Sequence, residues 1–254
     1  MTPLAEALRP KTLQDFYSQT HLLNDAHPLK QAINNKQLHS MILWGPSGTG
    51  KTTLARIMCN QIDGYFVQLS AVLDGVKELR LVVENAKKYQ AINQPTVLFV
   101  DEIHRFNKAQ QDAFLPHIES GLITLIGATT ENPSFELNRA LLSRLSVYVL
   151  EPIDTEGLLQ ILDRALASTE LTLTKEVKQH IVAYSGGDAR RLINIVEKIS
   201  QAELKVIDLD TIGQFLQDKV ASFDKGGDVF YQQLSAFHKS VRGSSADGAL
   251  YWMA

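Results

Sequence analysis

The chain has 254 residues, of which 44% are hydrophobic, and this length allows a sizeable core and about two domains. Its formal net charge of -3 excludes a global basic field for nucleic acid, so any DNA contact must be a local patch. The single cysteine, Cys59, excludes a disulfide framework and favours a reducing compartment, and no apolar run approaches membrane-spanning length, so we expect a soluble, cytoplasmic protein without a membrane partner.

The N-terminal residues 1–40 mix short helical patches with two prolines, Pro10 and Pro28. Proline interrupts a helix, so this pattern does not favour an independent helical domain. We predict instead a segment that lies across the site formed by the residues that follow it.

A glycine-rich loop follows a predicted buried strand at residues 41–44 and precedes a predicted helix at 51–61. The loop matches G-x-x-x-x-G-K-[ST] in full, and the flanking strand and helix are the context that this motif requires. The alternative, an ordinary glycine-rich turn, does not require that context. Backbone N–H groups in such a loop hold phosphate oxygens, the lysine reaches the outer phosphates and the threonine hydroxyl ligates Mg²⁺. The motif predicts ATP and Mg²⁺ as cofactors, held by Gly45, Pro46, Ser47, Gly48, Thr49, Gly50, Lys51, Thr52 and Thr53, with Thr52 on the metal.

An apolar run at residues 96–100 ends in two acids, Asp101 and Glu102. A buried parallel strand presents such acids at its carboxyl end, where ligands of α/β sheets bind. Asp101 is predicted to hold Mg²⁺ through water, and Glu102 to polarise the attacking water as a general base. The alternative is that the two acids lie in a solvated turn or cap a helix. The upstream phosphate loop favours the interpretation as part of a nucleotide site.

Strands and helices alternate between residues 41 and 150, which predicts an α/β domain with a parallel, doubly wound sheet. Further strands are predicted at 65–69, 122–128 and 146–150, and further helices at 76–90, 108–119 and 136–142. The predicted units are an α/β domain at 1–152, an all-helical lid at 153–203 and the start of another helical domain at 204–254. Residues 246–254 begin an apolar helix without a polar cap, and we expect a truncated module there.

The phosphate loop, the acidic strand, the Thr129-Thr130 pair and Leu141–Arg144 together resemble the AAA+ ATPases, with clamp-loader and branch-migration proteins as the nearest branch. Four longer blocks resemble more specifically the family of replication-associated recombination protein A, whose eukaryotic relative is the Werner-helicase-interacting ATPase. These blocks are residues 39–46, 101–108, 127–136 and 234–244. The resemblance implies a five-stranded AAA+ sheet, a helical lid and a C-terminal helical domain that carries oligomerisation.

The resemblance also implies roles for single residues. Thr129 would be the sensor-1 group near the γ-phosphate. The alternative is a threonine whose hydroxyl only satisfies hydrogen bonds at the strand end. Arg144 would be an arginine finger that reaches a neighbouring subunit's nucleotide, with Arg139 as a weaker candidate. Arg190, in Gly187–Arg190, would be the sensor-2 arginine on the phosphates.

The N-terminal segment resembles, through Arg9 and Pro10, the part of the family that packs on adenine. Ser18 stands where relatives usually have glycine, which questions the local backbone geometry. DNA-contact candidates follow the second and third strands, where a solvated helix face is the alternative. They are Lys77, Arg80, Arg105 and Lys108.

The function that this resemblance implies is a DNA-dependent or DNA-stimulated ATPase of replication-fork maintenance, recombination and repair, associated with the nucleoid. Its expected partners are DNA at forks, gaps or single-stranded ends, further copies in a homo-oligomer (a tetramer in the family), single-strand-binding protein and replisome components. The alternatives are a clamp-loader or Holliday-junction branch-migration subunit, a non-hydrolysing structural subunit, and a DExH helicase, which Asp101–His104 would fit but which needs a second motor domain.

Overall fold

The computed structural model describes residues 2–202 and 207–216, together with positions 240 and 243. Its strands are β1 (Met41–Trp44), β2 (Tyr65–Ser70), β3 (Thr96–Asp101), β4 (Ile123–Thr129) and β5 (Ser146–Val149). They form one parallel sheet in the order β2-β3-β4-β1-β5, which confirms the predicted five-stranded parallel sheet. Strand β4 lies between β1 and β3, so its carboxyl end separates the phosphate loop from the two acids.

Short helices lie at the N-terminus and around the sheet, and longer ones cover its faces and form the lid. They are α1 (Leu4–Ala7), α2 (Thr20–Leu23), α3 (Pro28–Asn34), α4 (Lys51–Gln61), α5 (Val76–Gln90), α6 (Lys108–Asp112), α7 (Leu115–Glu119), α8 (Pro133–Glu136), α9 (Arg139–Leu142), α10 (Thr155–Ala167), α11 (Lys175–Ser185), α12 (Ala189–Gln201) and α13 (Leu209–Phe215). A 3₁₀ turn occupies Ile103–Arg105.

Two predicted helices differ from the structure. The helix expected at 108–119 is split into α6 and α7, and Pro116 lies in the first turn of α7, where its missing N–H costs no helical hydrogen bond. The helix expected at 136–142 is only α9, because Leu137 is extended and the Asn138 side chain caps the new start by accepting a hydrogen bond from the Leu141 N–H at 2.7 Å.

The sheet separates two apolar clusters because successive side chains of a strand point to opposite faces. On one face, Leu43 and Phe99 pack with Leu54 of α4. On the other, Ile42 and Leu98 pack against α5, which buries Leu79, Val82, Val83 and Ala86. Each large side chain buried in this way contributes about 1.5–3 kcal/mol. The two clusters fix the carboxyl ends of the strands at one edge.

A third apolar cluster holds the helical layer together. It includes Leu162 of α10, Ile181 of α11 and Val196 of α12. Helix α13, which falls in the unit predicted at 204–254, adds Ile212 to the same cluster. The division of the chain at residues 152 and 203 stays a prediction. The predicted helix at 246–254 lies outside the described residues, as does the 234–244 block apart from positions 240 and 243.

The N-terminal segment contacts both layers. Leu4 and Leu8 pack against the cluster of the lid, and the Leu4 N–H donates a hydrogen bond to Glu197 Oε1 of α12 at 2.8 Å. Phe16 and Leu29 belong to the cluster under the sheet. Residues between these contacts therefore cross from the lid to the sheet. Within the part of the chain that the structure describes, no helix combines the length and the apolarity needed to cross a membrane.

Candidate nucleotide-binding site

A cleft of about 480 Å³ lies where the carboxyl edge of the sheet meets the lid and the N-terminal segment. Most of the predicted nucleotide residues line it: Arg9, Pro10, Ser47, Gly48, Thr49, Gly50, Lys51, Thr52, Thr53, Asp101, Glu102 and Arg190. Gly45 and Pro46 form the entry to the loop, outside the lining. Thr129 and Arg144 do not line the cleft either, whereas Thr130 does. Arg164 of α10 also lines it, and no sequence motif marks that residue.

Two glycines of the phosphate loop are required by their backbone and their neighbours. Gly48 has φ +68°, and a Cβ on it would lie 1.8 Å from Asp188 Oδ1 of the lid. Gly50 has φ +96°, and a Cβ there would lie 2.7 Å from the Phe16 ring. Side chains are disfavoured in this left-handed region and would also collide. The loop can therefore keep its shape only with glycine at both positions, and that shape is the cradle that phosphates need.

Lys51 is the buried cation of the loop, with 9% of its surface exposed. Its Nζ donates hydrogen bonds to the carbonyl oxygens of Gly45 and Pro46, each at 2.7 Å. Burial lowers the pKa of Lys51 to about 8, against the nearby carboxylates of Glu102 and Asp101, which raise it. The ammonium group is thus charged at neutral pH and held only by neutral carbonyls within the loop, an arrangement that favours an incoming anion.

The acids at the end of β3 are placed by an unusual turn. Asp101 pairs with Ser70 in the sheet, and Glu102 follows with φ +53° and ψ +43°, a left-handed conformation that is strained for a residue with a side chain. The turn brings Ile103 back onto the sheet face of Ile42 and Leu98, beside Gly127, where a Cβ would lie 2.9 Å from Ile103 Cδ1. The absence of a side chain at Gly127 therefore leaves room for Ile103. With Ile103 packed there, Glu102 lines the cleft.

Two side chains that carry N–H groups approach the Glu102 carboxylate. His104 Nε2 lies 3.4 Å from Glu102 Oε2, and Arg105 Nε lies 4.0 Å from the same oxygen. Arg105 is 58% exposed, so water screens its attraction. The other ring nitrogen of His104 lies 2.8 Å from the Thr129 hydroxyl at the end of β4. No motif in the sequence assigns His104 a role in ATP hydrolysis, although its position two residues after Glu102 is a signal.

The lid rests directly on the phosphate loop through the start of α12. Ser47 Oγ donates a hydrogen bond to Asp188 Oδ2 at 2.9 Å, and the Ala189 N–H donates to the Gly48 carbonyl at 3.2 Å. Asp188 is also the N-cap of α12, because its Oδ1 accepts from the Arg191 N–H at 2.9 Å. Arg190, the predicted sensor-2 residue, is exposed and lines the cleft beside this contact.

The N-terminal segment closes the opposite side of the cleft. Arg9 contacts Thr53 Oγ1 at 3.5 Å and forms an ion pair with Glu6. Gln19 is buried with φ +62°, and its amide pairs with the backbone of Glu151, accepting at 2.9 Å and donating at 2.8 Å. Ser18 does not have a positive φ, so its place where relatives usually have glycine involves no left-handed backbone. The left-handed residue of this turn is Gln19.

The remaining predicted site residues lie on the surface. Lys77 and Arg80 are exposed on α5, and Lys108 is exposed at the start of α6. Arg144 is bound away from the cleft: it pairs with Glu119 of α7 at 2.5 Å and donates to the Ala140 carbonyl at 2.8 Å. The geometry thus separates one group of residues in the cleft from a second group of exposed cations.

A phosphate loop after β1, two acids at the end of β3 and a helical lid with an arginine beside the loop define a P-loop nucleotide-binding protein of the AAA+ class. Residues 41–152 match the AAA family of ATPases associated with various cellular activities, and residues 167–242 match the AAA C-terminal domain. The RuvB Holliday junction branch migration motor of Thermotoga maritima has a similar structure, with TM-score 0.65 and 26% identity over 92% of this chain and 80% of that one.

Similarity to individual proteins extends over almost the whole chain. Replication-associated recombination protein A of Coxiella burnetii is 51% identical over 99% of this chain, and that of Haemophilus influenzae is 47% identical over 99%. ATPase WRNIP1 of Dictyostelium discoideum is 40% identical over 99% of this chain and 32% of its own length. The chain belongs to the AAA+ ATPase family of replication-associated recombination protein A, and it spans 59% of the length of the first two relatives.

Proposed function

We propose that this chain hydrolyses ATP in a reaction that DNA stimulates, and that the reaction serves replication-fork maintenance, recombination and repair. The observation that carries the proposal is the cleft, which collects Lys51 and Thr52 of the loop, the acids Asp101 and Glu102, and Arg190 of the lid. The names of its relatives, which refer to replication and recombination, supply the biological setting.

The residues present fit ATP with Mg²⁺. The loop offers a backbone turned by the left-handed Gly48 and Gly50, a charged lysine and a threonine at the first turn of α4. Thr52 and Asp101 supply the hydroxyl and carboxylate oxygens that Mg²⁺ prefers. The metal, when bound, neutralises charge on the phosphates. Lys51 does the same from the loop, and Glu102 orients the water for in-line attack.

Arg144 is proposed to act in a neighbouring subunit. Its guanidinium is held by Glu119 and by the Ala140 carbonyl, and it is absent from the lining of its own cleft. A guanidinium held away from its own cleft in this way is placed to reach a nucleotide in another copy, which favours a homo-oligomer with hydrolysis at the interface. Arginine fingers of this kind supply on the order of 10³ to 10⁵ in rate. A lone subunit is therefore expected to be slow.

DNA is proposed to bind the exposed cations of α5 and of the segment after β3. Lys77 and Arg80 project from α5, and Arg105 and Lys108 follow the acids. The chain is acidic overall, so these residues would form a local basic patch rather than part of a general field. Contacts to phosphates give affinity that falls with salt and carry little sequence preference.

The test is a steady-state ATPase assay with and without forked, gapped and single-stranded DNA, on the wild type, Glu102→Gln and Lys51→Ala. We expect DNA to raise the wild-type rate. Glu102→Gln should bind ATP but turn it over on the order of 10²-fold more slowly, since it lacks the base. Lys51→Ala should weaken binding itself. A wild type without turnover would indicate a structural subunit, and full turnover in Glu102→Gln would refute the assignment.

A further inference from the structure

His104 lies between two groups of the site and contacts both. Its Nδ1 is 2.8 Å from Thr129 Oγ1, and its Nε2 is 3.4 Å from Glu102 Oε2. The side chain is only 12% exposed, so the ring is held by its surroundings. Thr129 itself is fully buried at the end of β4, between the strands that carry the phosphate loop and the acids.

The hydrogen-bond capacities of these groups fix the direction of each contact. A neutral imidazole has one donor and one acceptor, and an ionised carboxylate only accepts. With a neutral ring, Nε2–H faces Glu102 and Nδ1 accepts the proton of the Thr129 hydroxyl at 2.8 Å, a shorter contact than the 3.2 Å from that hydroxyl to its other acceptor, the Glu131 carbonyl. The hydroxyl oxygen in turn accepts from the Glu131 N–H at 3.0 Å. The chain of contacts thus runs from the backbone after β4, through Thr129 and His104, to Glu102.

This chain of contacts gives the flexible carboxylate of Glu102 a fixed reference. The backbone of Glu102 is in a strained left-handed conformation, and its side chain has three rotatable bonds, so the turn alone does not fix the carboxylate. The sheet holds Thr129, Thr129 orients the ring, and the ring is rigid. The distance from the imidazole then limits where the carboxylate can lie.

We propose that His104 is a positioning residue that transmits the fixed position of Thr129 to the carboxylate of Glu102. The inference rests on the proposed ATPase function. It also gives Thr129 a second task, because Thr129 anchors the imidazole whether or not it contacts a phosphate. A base that is misplaced by about 1 Å loses on the order of 10²-fold in rate. Removal of the imidazole should therefore reduce kcat and leave ATP binding almost unchanged.

The experiment compares His104→Ala, His104→Gln, Thr129→Val and the double variant His104→Ala/Thr129→Val. We expect kcat to fall about tenfold to hundredfold in His104→Ala, with the dissociation constant of ATP within about twofold of the wild type. His104→Gln keeps an N–H donor near the Nε2 position and should recover part of kcat. Thr129→Val should lower kcat by a similar factor, and the double variant should be no slower than the slower single variant, because both changes break one chain of contacts.

His39→Asn is the matched control. His39 is another partly buried histidine with a 2.8 Å contact to a hydroxyl, that of Tyr148, but it lies outside the cleft. Its variant should keep the wild-type kcat, and thermal unfolding of every variant shows whether the fold is kept. The inference would be overturned if the double variant lost kcat by the product of the two single-variant factors. A wild-type kcat in both folded His104 variants would also overturn it. Full turnover in Glu102→Gln would remove the role of Glu102 and overturn the inference with it, whereas a wild type without turnover would overturn the proposed function, so the two failures are distinguishable.

Discussion

A methyl group at Gly48 should push the lid away from the phosphate loop. The Cβ of Gly48→Ala would lie 1.8 Å from Asp188 Oδ1, whereas ordinary contact begins at 3.4 Å, so the carboxylate must retreat by about 1.6 Å. A movement of this size breaks the hydrogen bonds that Asp188 accepts from Ser47 Oγ and from the Arg191 N–H, both at 2.9 Å. The lid then loses its contact with the loop and α12 loses its cap.

The free energy of unfolding reports this coupling. Loss of the cap costs about 1 kcal/mol. A left-handed alanine costs about 1–2 kcal/mol, less about 0.4–1 kcal/mol gained because alanine stiffens the unfolded chain. Gly48→Ala should therefore destabilise the protein by about 2 kcal/mol and Asp188→Ala by about 1 kcal/mol. The double variant has no carboxylate to displace and should lose about 2 kcal/mol rather than the sum of about 3 kcal/mol.

Urea denaturation of the wild type and the three variants, followed by far-UV circular dichroism, measures the coupling. Gly50→Ala is the matched control, because its Cβ would meet the Phe16 ring at 2.7 Å and not Asp188. Asp188→Ala should leave the cost of Gly50→Ala unchanged. If the costs of Gly48→Ala and Asp188→Ala add to within about 0.3–0.5 kcal/mol, the collision does not displace the lid and the reasoning is refuted.

Three further predictions concern the surface and the core. Arg144→Ala should keep its ATP affinity but lose on the order of 10³ in rate. Mixing it with Lys51→Ala subunits should restore part of the rate, because each variant supplies the group that the other lacks. No restoration, or an equal loss of rate in Arg139→Ala, would contradict the assignment. Lys77→Ala/Arg80→Ala should lower DNA-stimulated turnover and reduce the salt slope of DNA binding by about one per lost phosphate contact, while Lys175→Ala on the lid should change neither. Burial raises the pKa of the Cys59 thiol to about 11, so iodoacetamide at pH 8 should modify it slowly in the native protein and fast in urea, and equal rates would argue against its burial.

Local patterns predicted most of the fold and the core of the site. The glycine-rich loop and the apolar runs before it and before Asp101 are continuous in sequence, so their chemistry is visible without the structure. The split of the helix at 108–119 depends on Pro116, which the helical periodicity of the surrounding residues conceals. Prediction from local sequence patterns fails where one residue makes hydrogen bonds to groups that are distant in the sequence.

Contacts between residues far apart in sequence were the ones that the sequence could not supply. Asp188 lies against Ser47, 141 residues earlier, and Gln19 pairs with Glu151, 132 residues later. Neither contact has a periodicity or a spacing that marks it. The link from His104 to Thr129 spans only 25 residues, but it depends on β3 and β4 being neighbours, and the order of strands in a parallel sheet is not encoded in any single strand.

The N-terminal segment joins the lid to the sheet, and this connection would couple movement of the lid to ligand binding in the cleft. Leu4 is hydrogen-bonded to Glu197 on the lid and Phe16 is buried under the sheet, so only about a dozen residues connect the two layers, and an outward rotation of the lid would stretch them. Arg9 and Pro10, which line the cleft, lie on that bridge. A ligand that tightens the bridge therefore also draws the lid inward, and by reciprocity a partner that pulls on the lid alters the affinity of the cleft by the same factor.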